Sequence, residues 1–421
     1  MTVSPKTITA FNRYYYHYLD FFINFFLPPE AKVGRLEREL ERTEVSASDS
    51  YDYLIMSDLL GYVSDVQRHL SQAAKLLKPS GRLIITQYST LWEPILRLAS
   101  AIGLRRKEIE QNWLSLNDLK NFGHLAGWET IKSGSKILVP FYLPIISWFF
   151  NQIIVNLFPF SRLGLFHYLI LRQNQTPVPV VLPSLSVIVA ARNEAGTIER
   201  IARELPSLGK FTEIVFIEGG SNDGTLAEIK RVVREVKTNN RLSFGVQTGK
   251  GKGDAVRLGF EMAKGDIVTI YDADMTVPPN DIKKFYQALV ENKGEFINGS
   301  RLVYPMEKES MRLLNFIGNK FFSLAFSWIL GQSLKDTLCG TKMLWKKDYE
   351  AIKRGRSFFG DFDPFGDFDL LFGAAKLNLK IIDLPIRYGE RVYGRTNISR
   401  WSHGWLLLRM TFFAARKIKF I

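Results

Sequence analysis

The sequence predicts an α/β protein built of two α/β domains, and three features of the chain lead to this prediction. Continuous apolar runs such as Leu185–Ala191 alternate with segments of helical periodicity, as expected of parallel strands that are covered on both faces. Polar loops rich in glycine and acidic residues follow several of these runs, as at the carboxyl edge of a doubly wound sheet. A proline-rich stretch separates the two sets of elements.

Length, composition and charge limit the classes of protein to which the chain can belong. Its 421 residues, 46% hydrophobic and 23% charged, indicate two or three folded domains. The net charge of +14 is compatible with nucleic acid, an anionic membrane surface or phosphorylated substrates. Because no nucleic-acid-binding motif accompanies this charge, nucleic acid is not an expected partner. The single cysteine, Cys339, excludes an intrachain disulfide and fits a reducing compartment.

The proline-rich stretch sets the domain boundaries. Gln173–Pro183 contains three prolines without periodicity, which predicts a linker. We therefore expect a first domain over residues 1–172, the linker over 173–183, a second domain over 184–400, and a basic amphipathic helix over 401–421.

The first domain shows a strand, a helix, a turn and a second strand, at Tyr51–Met56, Val63–Leu77, Lys78–Gly81 and Arg82–Thr86. This stretch, above all its Leu-Lys-Pro-Ser-Gly-Arg-Leu run, resembles the later half of the class I S-adenosylmethionine (SAM)-dependent methyltransferases. That family holds its cofactor at a glycine-rich turn after its first strand, whereas the only glycine before Asp52 here is Gly34. The resemblance implies a truncated methyltransferase-like α/β domain without a cofactor site. A SAM-dependent methyltransferase is the alternative.

Residues 137–160 of the first domain are strongly apolar but contain three prolines and several amide side chains. We therefore expect a buried or interfacial pair of helices there rather than a membrane span.

Four polar loops in the second domain lie next to predicted strands and helices. In chain order they are Arg192–Ile198, Gly219–Thr225, Gly249–Ala255 and Asp272–Asp274. Backbone amides and lysines of the glycine-rich loop at 249–255 suit phosphate or nucleobase oxygens. Asp272 and Asp274 are two residues apart at a strand end, so both carboxylates point the same way and suit Mg²⁺ or Mn²⁺. Such a cation would neutralise a diphosphate leaving group.

The order of these pieces, with Asn298–Arg301 and Asp336–Lys342 after them, resembles the family 2 glycosyltransferases, nearest to the dolichyl- or polyprenyl-phosphate sugar synthases. The resemblance covers nearly all of residues 184–400 and implies a GT-A nucleotide-sugar transferase domain with a Rossmann-like mixed sheet. It also implies inverting sugar transfer and a metal at Asp272 and Asp274. The donor-binding candidates are Ala191, Asn193, Glu194, Glu218, Gly220, Ser221, Lys252, Asp272, Arg301, Arg391 and Arg395.

The sequence departs from the family pattern at several of these positions. Glu218 and Gly219 stand where the family usually has two aspartates, which leaves the identity of the nucleotide open. Thr276 stands where the lipid-phosphate synthases often have a glutamine that binds the metal. Arg391 and Arg395 lie in a run that resembles the family's Arg-x-x-Gly-x-Ser-Lys loop, which closes over the diphosphate. The guanidinium of Arg391 matches two phosphate oxygens.

An acidic stretch, Gly360–Leu371, precedes a helix predicted over Leu370–Leu377. In the family, an acidic residue at the start of this helix faces the acceptor. This implies Asp369, with Asp367 one strand period earlier, as the catalytic candidates. A hydroxyl acceptor needs such a base, whereas a phosphate acceptor does not. Capping of the helix by these carboxylates is a compatible structural role.

The nearest relatives by resemblance imply a nucleotide-sugar donor and a polyprenyl-phosphate-type or other membrane-associated acceptor, with a soluble or polysaccharide acceptor as the alternative. Met311–Leu330 and Trp401–Ile421 combine apolar or aromatic residues with basic ones, as in helices that lie among lipid headgroups. We therefore expect a cytoplasmic protein, peripheral on the inner face of the membrane.

Overall fold

The chain divides into two compact units, which are described separately. The structure is a computed structural model that describes residues 10–36, 50–102, 112–174, 181–303, 313–358, 366–393 and 400–421. Residues 1–176 and 418–421 form the N-terminal unit, and residues 177–417 form the C-terminal unit.

The N-terminal unit has a mixed sheet with the order β1-β2-β3-β5-β4 in its described part. Its strands are β1 (Val33–Leu36), β2 (Tyr51–Ser57), β3 (Leu77–Tyr88), β4 (Trp128–Lys136) and β5 (Phe166–Gln173). The first three strands are parallel, and β5 is antiparallel to both β3 and β4. The helices are α1 (Ala10–Phe25), α2 (Val66–Leu76), α3 (Glu93–Ala101), α4 (Leu116–Leu125) and α5 (Ile146–Trp148).

The side chains of β2 alternate between two hydrophobic clusters, one on each face of the sheet. Ile55 packs in a cluster with the aromatic side chains of α1, including Phe22. Its neighbours Leu54 and Met56 pack in a second cluster with Leu70 of α2 and with α4. Successive strand residues point to opposite faces, so an unbroken apolar run serves two cores.

Two boundaries in this unit differ from the prediction. The turn expected at Lys78–Gly81 lies inside β3 as a bulge, because the pairing passes from Tyr51 opposite Leu77 to Tyr53 opposite Arg82. Helix α2 begins at Val66 rather than at residue 63, because the Asp65 side chain accepts a hydrogen bond from the Arg68 amide and caps the helix.

The apolar stretch at 137–160 lies in the connection between β4 and β5. The prediction of a pair of helices was wrong: α5 is followed by a π-helical turn at Phe149–Ile153 and a 3₁₀ turn at Ile154–Asn156. Pro140, Pro144 and Pro159 restrict the backbone around these turns and shorten the helix. Within the described residues, every helix is too short or too polar to cross a membrane.

The C-terminal unit has a mixed sheet with the order β12-β10-β11-β9-β6-β7-β8. Its strands are β6 (Leu185–Ala191), β7 (Thr212–Glu218), β8 (Arg241–Val246), β9 (Ile267–Ile270), β10 (Phe296–Ser300), β11 (Lys342–Trp345) and β12 (Ile381–Pro385). Its helices are α6 (Ile198–Glu204), α7 (Thr225–Glu235), α8 (Lys252–Met262), α9 (Asp281–Val290), α10 (Leu313–Leu330), α11 (Lys346–Arg354), α12 (Asp367–Lys376) and α13 (Arg400–Ala414), the last continued by a π-helical turn at Ala415–Lys419.

The mixed α/β sheet predicted from the sequence is confirmed. Strands β9, β6, β7 and β8 are parallel neighbours, and β11 is antiparallel to both β9 and β10. Every residue of β7 is buried, as expected of a central strand with helices on both faces. Because β6, β7 and β9 run the same way, the loops that follow them meet at one edge of the sheet.

Candidate active site

The loops after β6 and β7 begin from paired strand ends. Ala191 and Glu218 lie opposite each other, and the Gly219 amide donates to the Ala191 carbonyl at 2.9 Å. The Glu218 carboxylate accepts a hydrogen bond from the Ser221 amide, across a turn in which Gly220 has a φ of 74°. Burial raises the pKa of Glu218, but hydrogen bonds from Ser221 and Gly220 outweigh burial and hold it below its ordinary value. The carboxylate is therefore ionised and holds its own loop in shape.

Hydrogen bonds join the first two loops into one structure. The Asn193 amide donates to Ser221 Oγ at 3.0 Å, and the Asn222 amide donates to Asn193 Oδ1 at 2.9 Å. The Glu194 amide donates to Thr225 Oγ1 at 3.0 Å. Asn193 has a φ of 58°, a left-handed conformation that asparagine tolerates better than most residues. Four of the predicted donor-binding residues, Asn193, Glu194, Glu218 and Ser221, thus lie together.

The acidic pair follows β9 at the same sheet edge. Lys252 Nζ lies 2.6 Å from Asp272 Oδ1. Burial raises the pKa of Asp272, but the Lys252 ammonium outweighs burial and brings it below its ordinary value. Asp274 Oδ1 accepts hydrogen bonds from the amide and the hydroxyl of Thr276. Burial and the neighbouring Asp272 charge raise the pKa of Asp274. The surroundings therefore disfavour the state in which both carboxylates of the pair are ionised.

Arg391 connects the acidic pair to the first loop. Its guanidinium donates to Glu194 Oε1 at 2.5 Å and to Asp274 Oδ2 at 3.1 Å. Burial raises the pKa of Glu194 to about 7, although Arg391 opposes this shift. Glu194 Oε2 is buried and has no hydrogen-bond partner among the described residues. The single positive charge of Arg391 therefore neutralises the charge of the two carboxylates only in part.

A loop between α10 and β11 completes the site and supplies residues that the sequence did not assign. A Cβ added at Gly340 would lie 2.2 Å from Asp272 Oδ2 and 2.5 Å from Lys252 Nζ, so a side chain at this position would displace the Asp272–Lys252 pair. Asp336, fully buried, holds the predicted donor-binding residue Arg301 through two hydrogen bonds of 2.7 and 2.9 Å. The Asp336–Lys342 run was predicted only as one piece in the order of family motifs, and no sequence signal indicated which of its residues face Asp272.

The predicted catalytic residues lie on α12, where the expected geometry was wrong. The helix begins at Asp367 rather than at residue 370, so Asp369 lies within the helix and is not one strand period from Asp367. The buried Asp369 carboxylate accepts a hydrogen bond from Arg356 Nε at 2.7 Å. A Cβ on Gly366 would lie 2.7 Å from the Cα of Gly253, which brings the start of α12 against the start of α8. Arg395 and most of the acidic stretch before α12 lie outside the described residues.

The donor set at Asp272 and Asp274 fits a hard divalent cation. Within the described ranges, no three histidine, cysteine, aspartate or glutamate side chains are close enough to hold an ion by themselves. Two carboxylates would therefore share the cation with oxygens from substrate or water, as is usual where a metal binds phosphates. The raised pKa of Asp274 and the unpartnered Glu194 oxygen are the observations that favour an added positive charge here.

The fold and these loops define the class of protein: an α/β domain of the GT-A type with an acidic pair at the end of a central strand. Comparison with known proteins gives the same class. Residues 186–352 match the family described as glycosyl transferase family 2, and residues 18–133 match a family described as methyltransferase domain. The resemblance of the second part of the chain to the family 2 glycosyltransferases is thus confirmed, and so is the resemblance of its first part to methyltransferases.

Several of the curated relatives that match this chain are glycosyltransferases, and three of them are described here by their similarity. Glycosyltransferase AglJ of Haloferax volcanii is 28% identical over 226 residues, which are 53% of this chain and 69% of the relative. UDP-N-acetylglucosamine–dolichyl-phosphate N-acetylglucosaminyltransferase of Methanococcus voltae is 27% identical over 179 residues, 39% of this chain and 71% of the relative. Dolichyl-phosphate beta-glucosyltransferase of Saccharomyces cerevisiae is 26% identical over 228 residues, 49% of this chain and 67% of the relative.

Proposed function

We propose that this chain transfers a sugar from a nucleotide-sugar donor to a polyprenyl-phosphate-type or other membrane-associated acceptor, with inversion and with Mg²⁺ or Mn²⁺ as cofactor. Two of the relatives named above are dolichyl-phosphate sugar transferases, which supports a lipid-phosphate acceptor. The second support is the acidic pair at the edge of the C-terminal sheet.

One observation carries the proposal: Asp272 and Asp274 lie at the end of β9 between two cationic side chains from other loops. Lys252 and Arg391 each pair with one carboxylate. A site with alternating carboxylates and cations can bind a metal diphosphate, since the carboxylates hold the metal and the cations meet the phosphate oxygens.

The roles of the individual residues follow from this charge pattern. Asp272 and Asp274 would hold the cation, which supplies positive charge to the departing nucleoside diphosphate. Lys252 and Arg391, which pair with these two carboxylates, would stabilise the negative charge that develops on the same leaving group. The joined loops carrying Asn193 and Ser221 form the edge next to which the nucleoside would lie.

The state of Asp369 favours an acceptor that needs no general base. Its carboxylate is buried and already bonded to Arg356, so it is not directed freely toward a substrate hydroxyl. A lipid phosphate is an anion at neutral pH and attacks without losing a proton, whereas a sugar hydroxyl requires a base. We retain Asp369 and Asp367 as the candidate bases for the alternative, a soluble or polysaccharide acceptor.

Radiolabelled donor, Mg²⁺ or Mn²⁺ and polyprenyl phosphate are expected to give a chloroform-soluble labelled product. The donor is chosen beforehand as the nucleotide sugar that raises the melting temperature most in the presence of the metal. Unphosphorylated polyprenol is the matched control and should remain unlabelled, because it lacks the attacking phosphate oxygen. Label that appears only in water-soluble glycan would contradict the lipid acceptor and support the alternative.

For the N-terminal unit we propose a scaffolding role without SAM. Gly34, the only glycine before Asp52, lies within β1, where an added Cβ would meet Leu54 Cδ1 at 2.9 Å. This glycine therefore serves close packing of β1 on β2 rather than a cofactor turn. Calorimetric titration with SAM is expected to show no binding. A micromolar dissociation constant would instead support the methyltransferase alternative.

A further inference from the structure

The N-terminal unit exposes an unusual amount of apolar surface between β4 and β5. Twelve large apolar side chains between Phe141 and Leu163 are exposed. Among them Ile145 is 80% exposed, Phe158 75% and Tyr142 69%. Apolar residues scattered singly over a surface are ordinary, but a contiguous group of this size indicates an interaction site.

The backbone of this segment is firmly held by buried polar side chains. Asn151 is fully buried: its Oδ1 accepts from the Leu138 and Val139 amides at 2.8 and 2.9 Å, and its Nδ2 donates to the Val139 carbonyl. The buried Ser147 hydroxyl accepts from the Leu143 amide and donates to the Phe141 carbonyl. Buried polar side chains with satisfied hydrogen bonds thus hold a segment in which most of the large apolar side chains are exposed.

The outer face of α3 continues this apolar surface. Leu91, Ile95, Leu98 and Ile102 are spaced by four, three and four residues and are all exposed. This spacing is one face of a helix, and here the face points to solvent rather than to the core. The Trp92 indole donates to the Leu163 carbonyl at 2.8 Å, which joins α3 to the segment after β4.

We propose that this surface, formed by the outer face of α3 and by residues 141–163, inserts into the interfacial layer of a lipid bilayer. The proposal goes beyond the transfer reaction, since it assigns bilayer binding to the methyltransferase-like unit, and it does not depend on the nature of the acceptor.

The charge of the surface suits an anionic membrane. Residues 130–193 contain no aspartate or glutamate, so no carboxylate of the inserted segment opposes anionic headgroups. Arg162 is exposed and lies over the Phe158 ring, where it can reach a phosphate while the ring is inserted. Glu93 on α3 is paired with Arg97 at 2.5 Å.

Hydrogen bonding also favours a bilayer over a protein partner. A protein interface carries roughly one hydrogen bond per 100–200 Å², whereas Asn151 and Ser147 are already bonded within the segment. A bilayer requires no such bonds from apolar side chains. Tyr142 and Trp148 are exposed aromatic residues of the kind that lie at headgroup depth.

A fluorescent label at residue 145 tests insertion directly in the full-length protein. Cys339, the only native cysteine, is buried, so Ile145→Cys can be labelled selectively with an environment-sensitive dye. Vesicles of phosphatidylcholine with phosphatidylglycerol are expected to shift its emission to the blue, and phosphatidylcholine alone should shift it less. Leu125→Cys, exposed on α4 in the same unit, is the matched control and should not respond. Equal responses at both positions, or none at 145, would overturn the proposal.

Loss of binding provides the second measurement. The double variant Ile145→Ser, Phe158→Ser should bind the mixed vesicles at least about tenfold more weakly than the unaltered protein, since two large apolar groups are lost. Leu125→Ser should bind normally. If the double variant does not alter vesicle flotation but converts a dimer to a monomer in gel filtration, the surface is an interface between two copies and not a membrane site.

These results remain separate from the proposed function. Metal-dependent donor hydrolysis without vesicles should be the same in the double variant and the unaltered protein. Absence of hydrolysis in the unaltered protein would count against the transferase proposal alone. Flotation of the double variant with vesicles to the same extent as the unaltered protein would count against membrane insertion alone.

Discussion

Replacing Asp274 by alanine is expected to lower the rate of sugar transfer by about a hundredfold to a thousandfold, because in the proposed reaction the cation that neutralises the leaving diphosphate would lose one of its two protein ligands. In the structure Asp274 has a pKa raised by burial and by Asp272, and Arg391 compensates it only in part. The measurement is the initial rate at saturating donor, metal and acceptor.

A matched control and a second readout separate this effect from a change in charge or folding. Glu235→Ala removes the same negative charge from an exposed position on α7 and should leave the rate unchanged. Electron paramagnetic resonance of Mn²⁺ in the presence of nucleotide should show weaker binding only in the Asp274 variant. A variant that keeps more than about a tenth of the rate and binds Mn²⁺ normally would exclude the acidic pair as the metal site.

The strands and the loops of the site could be predicted because they are determined by short stretches of the sequence. Leu185–Ala191 is the same strand in the sequence prediction and in the structure, since an unbroken apolar run bounded by polar residues determines both its length and its burial. The direction of parallel strands then brings the loops after β6, β7 and β9 to one edge. Asn193, Glu194, Glu218 and Asp272 were accordingly predicted to lie on loops at the edge of the sheet.

Other features depend on tertiary packing, which residue spacing does not reveal. The start of α12 is determined by Gly366, whose φ of 72° and contact with Gly253 bring the chain into the helix earlier than expected. Arg301 was interpreted as a donor contact, but its partner Asp336 is 35 residues away on another loop. The bulge at Lys78–Gly81 keeps β3 continuous where a proline and a glycine indicated a turn.

The largest effect on stability is expected from the buried ion pair between Asp336 and Arg301. The Asp336 side chain is fully buried and also accepts hydrogen bonds from Asn319 and from the amides of Arg301 and Leu338. Asp336→Asn leaves the buried Arg301 charge without a counter-ion, which typically costs about 3–5 kcal/mol. In a unit of this size the melting temperature should fall by roughly 10 °C.

The pH dependence and a matched control test the same pair. Burial raises the pKa of Asp336, but Arg301 outweighs burial and lowers it to about 2. Because the folded pKa is below the unfolded value of about 4, the stabilisation is fully present above pH 4 and is lost as the pH falls toward 2. Asp336→Asn should therefore flatten the stability profile in that window. Glu204→Gln makes the same change in the exposed pair with Arg200 and should barely alter either measurement. Equal, small shifts in both variants would show that Asp336 does not stabilise the fold through its charge.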